Sequence, residues 1–191
     1  MFSALLDTSV LWPSAQRDFF LSMGIEGIFR PLWSSAILEE LREAECWKLK
    51  GRGVPSVDAR RRSQQLIFRM EKSFPDAKVK HWHHLVGTFQ LPDPNDEHVA
   101  AAAVVGGAGV LVTDNTRHFP RKRIPAEVDL QDSGTFALSA VSANPDAALR
   151  AIQQMASRHQ NPPQNVDRIL GILRDRYHMT DAVTLLEAVL P

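Results

Sequence analysis

Short apolar runs separated by helix-length segments constrain this chain more than its composition does. Residues 2–6, FSALL, read as a buried strand. Residues 28–34, IFRPLWS, read as a second and 109–115, GVLVTDN, as a third, while EVDLQD at 127–132 reads as a weaker last one. Pro31 gives the second strand an irregular or edge portion, because proline cannot donate to a ladder. Pro13 is placed to open a helix through SAQRDFFLSMGIEG, which Gly24 and Gly27 end. Ser34 or Ser35 caps the helix SAILEELREAECWKLKG, with Glu39 placed for a capping box. Another helix is expected over 54–74, and HVAAAAVVGGAGV begins as a short helix of small residues stopped by Gly106 and Gly107. Strands that alternate with helices imply a parallel sheet wrapped by helices.

Asn144-Pro145 opens a different section. Three helices are expected there, at 145–158, 164–175 and 180–189, broken by NPPQN and by RYHMT, after which Thr180 can cap. The chain therefore divides into residues 1–143, an α/β domain, and 144–191, a small helical C-terminal subdomain.

Cys46 is the single cysteine of the 191 residues, which excludes an internal disulfide and a multi-cysteine zinc site and fits a reducing cytoplasm. No apolar run approaches the roughly 20 residues of a membrane span. The start MFSALLDTSVLWP has no basic segment before its apolar run and does not read as a signal peptide. Net charge is zero but unevenly spread. Lys/Arg against Asp/Glu number five to seven over residues 1–50, eight to three over 51–90, one to four over 91–120, and eight to eight over the last 71. A basic middle between acidic segments suits an acidic centre beside an anion-attracting surface; a solvated basic helix is the plainer alternative.

The acids recur at strand ends, where open α/β sheets bind ligands. Asp7 follows the first strand. Glu40 lies about one turn into the helix after the second. Asp93, Asp96 and Glu97 crowd the entrance of the alanine helix in LPDPNDEHVAAAA, and Asp114 with Asn115 follows GVLVT. Capping by Asp96 or Asn95 accounts for one of the clustered acids and leaves the rest unexplained. Buried carboxylates cost several kcal/mol unless paired or metal-bound. Oxygen donors favour Mg²⁺ or Mn²⁺ over zinc, and such an ion beside a basic flank is the equipment of phosphodiester cleavage. The run His81–Trp82–His83–His84 reads as surface or RNA-facing rather than metal-binding. His98 reads as orienting a neighbouring carboxylate or packing. Ser9 has no nucleophile-elbow sequence around it.

The stretches LLDTSVLWP, RDFFL, WSSAILEEL, LPDPNDEHVAAAA and VTDNTRHFP, in that order, resemble PIN-domain ribonucleases, specifically VapC-type toxins of bacterial toxin–antitoxin systems. NPPQNVDRILGIL resembles a helical C-terminal region attached to one subgroup. The resemblance implies a PIN, flavodoxin-like α/β/α sandwich and an acidic cluster that binds Mg²⁺ or Mn²⁺. By position it implies Asp7, Glu40, Asp96 and Asn115 as the catalytic set, with Asp7 and Asp96 on the metal. Thr8, Ser9, Asp93, Thr113 and Asp114 are the auxiliary residues, and Asp114 is the alternative to Asn115 at the fourth position. Similar sequences often carry an Asp before FP, where this chain has His118. The activity implied is endoribonucleolytic cleavage by a type II toxin, with RNA as substrate, a cognate antitoxin as partner, a possible homodimer and no membrane. The alternative is a catalytically weak PIN-like RNA-binding or antitoxin-binding module with a degenerate metal site. Arg60, Arg61, Arg62, Arg69, Lys78 and Lys80 are the expected contacts to the RNA backbone. Trp82 or Trp47 could stack on a base, although core packing is the first expectation for each.

Overall fold

The computed structural model describes residues 2–158 and 163–190. Five strands form one sheet: β1 (Phe2–Leu6), β2 (Phe29–Ser34), β3 (Lys78–Val79), β4 (Val110–Val112) and β5 (Asp129–Gln131). Every pairing is parallel and the order is β3-β2-β1-β4-β5. The helices are α1 (Thr8–Leu11), α2 (Ser14–Ile25), α3 (Ser35–Gly51), α4 (Ser56–Ser73), α5 (Glu97–Val105), α6 (Ser133–Ala143), α7 (Pro145–Arg158), α8 (Val166–Tyr177) and α9 (Thr180–Ala188). This is the expected α/β/α sandwich with a helical C-terminal part.

Two crossovers run one way from β1 through β2 to β3, and the chain then returns to β4. Right-handed connections place helices of opposite travel on opposite faces. Phe2 and Phe29 meet Phe136 of α6, which also packs edge-on against Phe20 of α2, so α2 and α6 share a face. α5 lies on the other face, its end against Leu32 and Val79. A Cβ at Gly106 would come within 2.7 Å of Val79 Cγ2 and 2.9 Å of the Ala102 carbonyl, so only glycine allows this approach. Val99 to Ala103 are fully buried, and their small side chains let α5 lie close to the sheet.

β3 was not expected from the sequence, because two residues carry no periodicity. It pairs only with Trp33 and Ser34, so the first half of β2 has β1 on one side and no strand on the other. Pro31 sits in that half, as an edge proline must. Pro13 takes the N-cap of α2 rather than its first helical position. Ser34 caps α3, its Oγ accepting from the Ile37 amide at 3.1 Å, which puts Glu39 beyond the capping-box position; Glu39 pairs with Arg42 instead. Thr180 is the first residue of α9 and not its cap. α8 runs Val166–Tyr177, two residues later than expected. Part of the NPPQN break, residues 161 and 162, lies outside the described residues. Trp47 is 73% exposed, which overturns its core assignment, whereas Trp82 at 6% keeps it. α7 and α8 pack against α2, and Glu26 of the loop after α2 accepts from Arg150 at 2.7 Å.

Candidate active site

The strand order reverses between β1 and β4, and the carboxyl edge there is the usual ligand crevice of an open α/β sheet. β1 delivers Asp7 to that edge. Its backbone N–H donates to Val112 at 3.0 Å, extending the β1–β4 ladder by one residue. Its carboxylate caps α1, accepting from the Thr8 amide at 2.7 Å. Ser9 Oγ and Thr113 Oγ1, the latter just past β4, both donate to Asp7 Oδ2 at 2.7 Å. Asp7 is 5% exposed. That burial pushes its carboxyl above the usual carboxylate range, against the hydrogen bonds of Thr113, Ser9 and Thr8 and with the help of the Glu40 charge.

Glu40 comes from the second turn of α3. Thr8 Oγ1 donates to its Oε2 at 2.6 Å, and His98 Nε2 lies 2.8 Å from its Oε1. Partial burial alone would push Glu40 up; the bonds from His98 and Thr8 and the His98 charge outweigh it and hold the carboxyl below its usual range. His98 Nδ1 is buried without a partner among the described residues. Nε2 is therefore the ring nitrogen whose N–H donates to Glu40.

The acids before the alanines have three different jobs. Asp93 accepts from the Asn95 amide at 2.9 Å and caps the short 3-10 turn Pro94–Asp96. Glu97 is 3% exposed and accepts from three backbone amides, Gly87 at 3.0 Å, Phe89 at 3.1 Å and Leu91 at 2.8 Å. It is a structural anion that fixes the incoming loop. Asp96 occupies the N-cap of α5 but makes no capping bond. Its Oδ2 lies 2.7 Å from His118 Nδ1. Asp93, Asp96 and His118 each offer one donor atom within 4.8 Å of the others, the one such group of acids and imidazoles among the described residues.

Beyond β4, Asp114 is committed elsewhere. Its Oδ1 accepts from the Ser133 amide at the start of α6 at 2.9 Å, and its Oδ2 lies 3.5 Å from Gln16 Nε2. The Asp114 amide donates to Ser9 Oγ and the Asn115 amide to Thr113 Oγ1, both at 3.1 Å. The Asn115 side chain is half-buried and has no hydrogen-bond partner among the described residues.

The residues singled out in the sequence thus fall into two groups. Asp7, Thr8, Ser9, Glu40 and Thr113 are joined by direct hydrogen bonds, with Asn115 attached through its backbone. Asp93 and Asp96 stand with His118. His98, two residues past Asp96, ties the second group's helix to Glu40. His118 and Glu97 were not singled out as site or structural residues. The HFP departure was the signal for His118. Nothing in the sequence distinguishes Glu97 from its acidic neighbours, because its partners are backbone amides of a loop.

The basic residues lie on α4 and on the segment that holds β3. Arg60, Arg61 and Arg62 are exposed on α4, but consecutive helical residues point about 100° apart. Arg61 pairs with Asp58 and Lys78 with Glu71, each at 2.8 Å. Arg69 and Lys80 are exposed. Trp82 stacks on His83 with ring centroids 3.8 Å apart.

The donor chemistry fits a divalent cation. Two carboxylates and an imidazole converge, and a third carboxylate, Asp7, is buried with no cationic side chain bonded to it among the described residues. Carboxylates suit hard ions, and an imidazole beside them suits Mn²⁺ better than Mg²⁺.

A parallel α/β sandwich with acids gathered at its switch point is compatible with a nuclease-type hydrolase. The chain belongs to the PIN domain family, which it matches over residues 3–117, more than half its length. Residues 135–188 match the VapC50 C-terminal domain, so this is a VapC-type PIN protein with a C-terminal helical region. No curated protein matches the chain. No helix among the described residues is long and apolar enough to cross a membrane.

Proposed function

We propose that this protein is a metal-dependent endoribonuclease that hydrolyses RNA phosphodiester bonds as the toxin of a type II toxin–antitoxin module. The observation that carries the reading is the Asp7–Glu40 network built through Thr8 and Thr113, which His98 ties to the helix whose N-terminus carries the Asp93–Asp96–His118 trio. Asp7 and Asp96 hold Mg²⁺ or Mn²⁺, with Asp93 and His118 beside them. A divalent ion there lowers the pKa of water and offsets charge on the leaving oxygen. Glu40, held ionised by Thr8 and His98, orients the attacking water and accepts its proton. Ser9 and Thr113 fix the Asp7 carboxylate. Asn115 offers its free amide to a phosphate oxygen, and Asp114 anchors α6. Residues 1–143 form the nuclease domain and 144–191 the helical subdomain. A cognate antitoxin, a homodimer and a cytoplasmic location complete the proposal.

One observation favours a second reading. His118 stands where similar sequences often have an Asp, and a trio with one charge fewer binds a hard cation more weakly, as in an RNA-binding module with a degenerate site. Calorimetric titration with Mn²⁺, beside cleavage of single-stranded RNA with and without EDTA, separates the two. Mn²⁺ binding that Asp96→Asn abolishes, with EDTA-sensitive cleavage that Glu40→Gln abolishes, supports the nuclease. Absence of Mn²⁺ binding at millimolar concentration sinks it.

A further inference from the structure

A cavity of about 640 Å³ lies between the start of α2, the end of α3 and the face of α8. Four cations line it: Lys48, Arg52, Arg168 and Arg176. Trp12 and Tyr177 supply aromatic surface, and no carboxylate is among its lining residues. Lys48 is held by Glu45, donates to Ser14 Oγ at 3.0 Å and lies 5.8 Å from the centre of the Trp12 ring. Arg176 lies 5.6 Å from the centre of the Tyr177 ring. Arg52, Arg168 and Arg176 have no acidic partner among the described residues.

From this arrangement we infer that the cavity is a subsite for a nucleotide of the RNA strand, next to the one cleaved. Its phosphate sits on Arg52, Arg168 and Arg176, and its base lies against Trp12. The inference rests on the nuclease reading for the identity of the strand. Three unpaired guanidinium groups around one concavity repel each other, and a bound anion relieves that repulsion. Guanidinium forks match phosphate oxygens bidentately. Trp12 is 39% exposed at the rim, where a base can reach its face. The volume falls in the range of about 300–1,000 Å³ that small organic ligands occupy.

Position ties the cavity to the acids. Asp7 caps the N-terminus of α1 and Trp12 caps its C-terminus. Five residues of helical rise, roughly 7 Å, separate them. A strand whose phosphate lies at Asp7 therefore passes Trp12 within a short reach. The two arginines of α8, at i and i+8 on one face of that helix, come from the C-terminal region. That region thereby acquires a direct part in holding substrate.

The test is anisotropy of a fluorescein-labelled single-stranded oligoribonucleotide in EDTA, which requires no cleavage. Arg168 and Arg176 are exposed, so Arg168→Ala with Arg176→Ala leaves the thermal midpoint unchanged. The expected result is at least tenfold weaker binding and a slope of log affinity against log salt shallower by about 0.7, the value for one phosphate contact on a single strand. Trp12→Ala weakens binding roughly 5- to 100-fold, and Trp12→Phe restores most of it. Unchanged RNA affinity and slope in the arginine variant overturn the inference. If that variant instead loses AMP binding alone, the cavity takes a free nucleotide, and if it loses polyglutamate alone, an acidic protein; either outcome also overturns it. Wild-type cleavage in Mn²⁺ is scored separately. RNA binding that depends on the arginines in a protein that cleaves nothing keeps the subsite and removes the nuclease reading.

Discussion

His118 Nδ1 lies 2.7 Å from Asp96 Oδ2, joining the turn after β4 to the N-terminus of α5. The imidazole stands at the position where similar sequences often have an Asp, and it meets the carboxylate that capping leaves free. Removing such a partner typically lowers metal affinity 10- to 100-fold. His118→Ala is expected to weaken Mn²⁺ binding about tenfold by calorimetry. His118→Asp adds a charged hard ligand and is expected to shift preference toward Mg²⁺. Unaltered Mn²⁺ affinity in both variants removes His118 from the site.

Asp7→Asn should abolish cleavage while the fold holds. Burial raises the Asp7 carboxyl above its usual range, so the folded chain binds that proton more tightly than the unfolded chain. Its contribution to stability is therefore complete below the ordinary carboxylate pKa and is lost as pH rises through the raised folded-state value. The amide removes that loss and can donate to Ser9 and Thr113, whose hydroxyls rotate to accept. In EDTA, the variant's thermal midpoint at pH 7 is expected to equal or exceed wild type, with the gain vanishing below about pH 4. A midpoint several degrees lower at pH 7 would show Asp7 to be a structural anion.

Glu97 and Asp96 are adjacent and should behave oppositely. Glu97→Ala strands three backbone amides, and at about 1 kcal/mol or more for each, the expected loss is on the order of 3 kcal/mol in urea unfolding. Asp96→Asn is expected to leave the urea midpoint within about 0.5 kcal/mol and to lose metal binding. Equal stability of the two variants would contradict this division of labour.

The residues after β4 separate in the same way. Asp114→Ala removes the acceptor for the Ser133 amide and is expected to cost about 1 kcal/mol of stability with metal affinity unchanged. Asn115→Asp is expected to strengthen Mg²⁺ binding at unchanged stability. A titration in which Asp114→Ala weakens the metal and Asn115→Asp does nothing would reverse the assignment.

The sheet and its helices were legible because their signals are local. FSALL, IFRPLWS and GVLVT are strand-length apolar runs, and the alanine helix is bounded by its own glycines. Asp7, Asp114 and Asn115 could be put at strand ends by counting along the chain, and Glu40 one turn into a helix. What each polar group touches could not be read that way. Asp93, Asp96 and Glu97 look alike in sequence, yet one caps a turn, one meets His118 and one holds three amides of a loop up to ten residues back. Trp47 and Trp82 look alike as well, and one is exposed while the other is buried. Hydrogen bonds between distant segments depend on where the sheet order brings strand ends together. Sequence alone thus determined the parallel architecture and the edge at which its acids gather. Tertiary structure decided which acids are spent on the backbone and which remain free, and it brought α8 arginines beside a tryptophan more than 150 residues earlier in the chain.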